Sequence, residues 1–118
     1  MELHELQSLA EKHPFHKFTI VIGFEEFTPE DIISWRGAYH IPAILYGKEG
    51  ECYGEDFSRL ISNGMYKPIQ GYKGGEYTFF PYQTPYLHSS YSEYKEFQIT
   101  AFCVSEDEVT LLTEEVPY

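Results

Sequence analysis

Proline and glycine decide where each element of this chain has to stop. Leu3, Leu6, Leu9 and Ala10 recur at helical spacing and Pro14 ends the run, which predicts a short N-terminal helix. Residues 18–23 are compact and β-branched, as in a buried strand; Thr28, Pro29, Glu30 and Asp31 then read as an irregular link into residues 32–35. Residues 39–46 read as a strand, but Pro42 cannot donate to a ladder and needs an edge, a bulge or a strand beginning. Lys48, Glu49 and Gly50 mark an exposed turn. A second helix is expected over residues 55–63, where Phe57, Leu60 and Ile61 make one apolar stripe, Glu55 and Asp56 suit the amino end, and Gly64 supplies the carboxyl-end cap.

Beyond that helix, Pro68 and the glycines at 71, 74 and 75 predict a loop, residues 76–80 an extended segment, and Pro81 and Pro85 a further break. Residues 97–104 and 109–113, joined by Ser105, Glu106 and Asp107, read as an antiparallel hairpin. The sum is an α+β fold in a single domain, 1–118: one mostly antiparallel sheet with two short helices against one face. The 11 Tyr, 9 Phe and 1 Trp add enough ring area to build a core and argue against disorder.

Charge narrows the partners. With 8 Lys+Arg against 19 Asp+Glu, the formal charge of −11 excludes a surface built to bind DNA or RNA phosphates directly. No stretch has the apolar length of a membrane span, and the polar helical pattern of the first residues lacks the apolar core of a signal peptide, so a cytoplasmic setting is expected. Cys52 and Cys103 have no metal-ligand spacing, and Cys103, inside an apolar run, is expected to pack as a small buried side chain.

Two segments carry the chemistry. Ser34-Trp35-Arg36-Gly37-Ala38-Tyr39 and Gly71-Tyr72-Lys73-Gly74-Gly75-Glu76-Tyr77 each set one cation among aromatics and glycines. Glycine lets backbone amides approach a ligand, and rings offer stacking faces, so the pair suits an anionic, ring-bearing molecule such as a nucleotide. In that reading Arg36 makes a bidentate phosphate contact and Lys73 places a point charge beside the Gly74 and Gly75 amides. Trp35, Tyr39, Tyr72 and Tyr77 supply stacking faces or walls, and Gly37 is a further ligand-binding position. Neither the P-loop nor the dinucleotide-binding glycine spacing is present. The same residues also suit two tight turns, with Arg36 in a surface ion pair and Lys73 solvated.

The order of these two motifs, with Pro42-Ala43, the short second helix and Thr84-Pro85 before a final strand pair, resembles a family of small acidic proteins encoded by tailed bacteriophages. The likeness covers residues 30–113. Tyr86-Leu87-His88 and Ser89-Ser90-Tyr91 depart from the family pattern of a Trp-Val-Ala type segment and a glycine-rich stretch. The resemblance implies a phage accessory protein acting in the cytoplasm of an infected bacterium, where such proteins disarm host defence. They do so by sequestering a nucleotide signal or by covering a defence protein's surface.

Two functions follow as expectations. The first is a protein that binds a nucleotide-derived immune signal without cleaving it, needing no cofactor or metal, with closure of the site by a second subunit in a homo-oligomer left open. The second is an acidic inhibitor that occupies a basic surface of a host defence protein through its carboxylate pairs. An enzyme has little support: His40 and His88 belong to no metalloprotease or nucleophile motif, and His4, His13 and His16 are expected to face solvent.

Overall fold

The computed structural model describes residues 1–71, 73–89 and 96–116. Its elements in chain order are α1 (Leu3–Lys12), β1 (Lys17–Ile22), β2 (Glu25–Ser34), β3 (Pro42–Gly47), α2 (Gly54–Tyr66), β4 (Ile69–Gln70), β5 (Glu76–Tyr77), β6 (Tyr86–His88), β7 (Phe97–Val104) and β8 (Glu108–Glu115). The α+β class and the antiparallel bias hold, since four of the six pairings in the main sheet are antiparallel. What local pattern did not indicate is closure. Parallel pairing of β1 with β8 and of β3 with β6 joins the strands in the order β1-β2-β3-β6-β7-β8 into a barrel.

The core runs from helices to barrel without a break. Leu3, Leu6, Leu9 and Ala10 of α1 pack with Phe57, Leu60 and Ile61 of α2 and with inward residues Phe18, Ile20, Ile32, Ile44, Leu87, Ile99, Val109 and Leu111 of the strands. The Phe18 and Phe57 rings meet at 5.1 Å. A Gln7–Ser62 hydrogen bond ties the two helices. The amino end of α2 is satisfied by the chain leaving α1: Gly54 N donates to His16 O at 2.9 Å and Glu55 N to Pro14 O at 3.0 Å.

Several expectations need correction. Residues 28–31 form no irregular link; β2 runs through them, and a register shift between Pro29 and Asp31 is the bulge that admits a proline into the strand. Gly64 does not end the second helix, which continues to Tyr66 with Lys67 N donating to Asn63 O. Its missing side chain serves packing instead, because a Cβ there would stand 2.4 Å from Ile32 Cδ1. Cys103 is exposed: residues 100–104 of β7 all face solvent, past the shift between Ile99 and Ala101. His13 and His16 are half-buried, with their rings 4.7 Å apart. Of the extended segment at 76–80 only β5 pairs, with β4, and the strand at 39–46 starts at Pro42, where its missing donor costs nothing.

Candidate functional site

The first motif leaves the end of β2 and turns twice before β3. Ala38 N donates to Trp35 O at 3.2 Å, Ile41 N to Ala38 O at 3.0 Å, and Trp35 N to Ile41 O at 2.8 Å, which closes the loop on itself. Buried Ser34 adds a hydroxyl bond to Tyr39 O. Trp35 folds back over this loop: a Cβ on Gly37 would lie 2.6 Å from its ring, and the same ring meets Tyr86 at 4.5 Å. Trp35 and Gly37 therefore form one packed unit. Arg36, at the turn, is exposed.

The second motif is the loop between β4 and β5. Gly71 N donates to Gly75 O at 3.0 Å and Gly74 N to Gly71 O at 3.1 Å. Gly74 and Gly75 have φ of +103° and +83°, conformations that L side chains rarely adopt. Gly71 is needed for a different reason, since a Cβ there would meet Gly74 O at 2.6 Å and the Tyr77 ring at 2.9 Å. The Gly74 amide is thus engaged within the turn rather than aimed outward. Lys73 is exposed, and Tyr72 lies outside the described residues.

A ring contact joins the two motifs. Tyr39 and Tyr77 meet at 6.0 Å with their planes inclined by 42°, so the loop bearing Arg36 and the loop bearing Lys73 share an aromatic seam although they are far apart in sequence. Around that seam lies a residue the sequence reading missed. Gln83 takes Phe80 N on its Oε1 at 2.7 Å and donates from Nε2 to His40 O at 2.8 Å, fastening the 80–86 segment to the first loop. The carbonyls of Gln83 and Pro81 accept the first amides of α1, Leu3 N at 2.9 Å and His4 N at 3.0 Å. Pro81 signalled a break in the chain, but nothing local signalled that the break would receive a helix end.

Two other features stand apart from this seam. A cleft of about 240 Å³ between β2 and α2 is lined by Glu30, Asp31, Glu51 and Asp56, with Arg59 beside Asp56 at 3.4 Å and Cys52 and Leu60 among its apolar wall. Burial, with Asp56 beside it, pushes the Cys52 thiol up to about 12, so it stays protonated and unreactive. At the other feature, the Leu87–Phe97 pairing sets His88 and Glu96 beside each other on β6 and its neighbour, where His88 Nδ1 and Glu96 Oε2 are buried without hydrogen-bond partners among the described residues. Burial, then Glu96 and Glu25, also raise the Tyr46 hydroxyl above its ordinary range.

No helix among the described residues is long and apolar enough to cross a membrane. No protein-family model, curated protein or solved structure matches this chain.

Proposed function

We propose that this chain is a phage counter-defence protein that binds a nucleotide-derived immune signal in the cytoplasm of the infected bacterium and holds it without cleaving it. The observation that carries the reading is the Tyr39–Tyr77 contact, which joins the two glycine-aromatic loops, each bearing one exposed cation. Arg36 and Lys73 then bind phosphate oxygens, and the surrounding rings contribute apolar walls. Trp35 and the glycines act indirectly, by fixing the loops that carry the cations. The resemblance to small acidic phage proteins supplies the biological setting.

The test is release by denaturation. The protein is incubated with a nucleotide extract of phage-infected cells, washed and unfolded, and the released molecules are identified by mass. Recovery of an intact nucleotide at up to one equivalent per site is the expected result. A chemically altered nucleotide turns the reading to an enzyme, and recovery of none turns it to a protein target.

One observation favours that last reading as an alternative. The carboxylates of Glu30, Asp31, Glu51 and Asp56 converge on one cleft, which suits a basic side chain of a host defence protein. An acidic inhibitor of that kind associates more slowly as salt rises, because exposed charges lose reach beyond about 8 Å at physiological ionic strength. Neutralising Glu30 and Asp31 then abolishes inhibition and spares nucleotide recovery.

A further inference from the structure

The turn at residues 80–83 holds two large rings in solvent. Phe80 and Tyr82 are 58% and 64% exposed, and they stack on each other at 5.4 Å with their planes only 8° apart. Neither belongs to the hydrophobic core. Their identity is therefore not explained by core packing, in a chain that buries the tilted ring pair Phe18 and Phe57 completely.

The turn beneath them is over-determined. Gln83 N bonds Phe80 O at 3.0 Å, Phe80 N bonds the Gln83 side chain, and α1 anchors Pro81 and Gln83 through their carbonyls. Pro81 fixes its own φ between the two rings. Such a turn presents its rings with little left to lose in entropy when something settles on them. Through its amide nitrogen Gln83 also grips His40, in the same loop as Arg36.

We infer that Phe80 and Tyr82 are a stacking platform for the planar base of a nucleotide whose phosphates lie against Arg36 and Lys73. This rests on the nucleotide-binding reading and deepens it: the ligand class is a phosphorylated species with a planar heteroaromatic ring, a purine nucleotide in the first instance, and not phosphate or polyphosphate alone. A third ring extends a parallel stack on an outer face, and base–ring stacking is tolerant of which base it receives.

Calorimetric titration with ADP and with inorganic pyrophosphate tests this. ADP is expected to bind the native protein at least about tenfold more tightly than pyrophosphate, the increment being the stacked base. Phe80→Ala and Tyr82→Ala each weaken ADP about fivefold or more while leaving pyrophosphate unchanged, and Tyr82→Phe restores ADP binding. Arg36→Ala weakens both probes. If ADP binds all ring variants as it binds the native protein while Arg36→Ala still weakens both probes, the platform is overturned and the phosphate site stands. If the native protein binds neither probe, both inferences fall. Both rings lie outside the core, so the variants melt as the native protein does, and a variant that unfolds instead overturns the premise that the rings serve no structural role.

Discussion

Glycine does opposite work on the two sides of this molecule. On the helix side, Gly54 and Gly64 of α2 are places where a side chain has no room: a Cβ at Gly54 would stand 1.9 Å from His13 O and one at Gly64 would strike Ile32. On the loop side, Gly74 has open space around its Cβ position, and what it supplies is a φ of +103°. One set lets elements approach, so that the core closes, and the other lets a turn reverse at the surface. Gly54 and Gly64 are therefore governed by packing and Gly74 by backbone conformation, a difference that substitutions can expose.

The largest expected effect is at Gly54. Alanine there forces its Cβ against backbone rather than against a yielding side chain, and the two bonds that seat the amino end of α2 move with it. A loss of about 3 kcal/mol or more is expected in chemical denaturation, at the upper end of overpacking costs. Gly74→Ala meets no atom and pays only for its unfavourable φ, about 1–2 kcal/mol, and that locally. Hydrogen exchange distinguishes them: Gly54→Ala speeds exchange through the barrel core, whereas Gly74→Ala speeds it around residues 69–77. Equal global losses from both would break the distinction.

Next in size is the effect on binding. Arg36→Ala and Lys73→Ala each remove an exposed cation, and nucleotide affinity is expected to fall by about 1.5–3 kcal/mol, the worth of a charge-assisted hydrogen bond, with a melting curve recorded beside each titration. Trp35→Ala is a poorer probe, because its ring packs on Gly37 and Tyr86 and its loss disturbs the loop itself. If the two cation variants fold and bind nucleotides as the native protein does, the loop side is two tight turns and nothing more.

These two sides were unequally legible in the sequence. The stripe Phe57, Leu60 and Ile61 marks α2, because that signal is local and has one physical reading, whereas Pro42 leaves an edge, a bulge or a strand beginning open and the fold takes the last. Gly64 misled because a glycine after an apolar stripe reads as a cap, while its true neighbour, Ile32, is distant in sequence. Barrel closure was hidden for the same reason, since it depends on parallel pairing of residues 17–21 with 108–112. The apolar character of its strand places Cys103 in the core, yet, among the described residues, 101–104 pair with β8 alone, past the Leu87–Phe97 pairing to β6, and are exposed on both faces. At the candidate site, the motifs name the two loops, but Gln83, Phe80 and Tyr82 carry no motif: what marks them out is what the fold sets beside them.

The last expected effect is a pH dependence on the packed side. The Cys52 thiol rises from its ordinary value of 9.0 to about 12, with burial the larger cause and Asp56 the second. The fold thus holds a proton that the unfolded chain releases near pH 9, so the contribution is complete below that pH and is lost progressively as pH rises toward 12. Cys52→Ala lacks this linkage, so the melting-temperature gap between native protein and variant should narrow from pH 9 to pH 11. A thiol reagent at neutral pH supplies the companion measurement. Exposed Cys103 reacts in the native protein, while buried Cys52 waits for unfolding, and Gly54→Ala brings that second reaction forward where Gly74→Ala does not. A Cys52 that reacts as fast as Cys103 in the folded protein would mean that the packed side opens as readily as the exposed part of β7 is reached, and the contrast between the two kinds of glycine would lose its energetic basis.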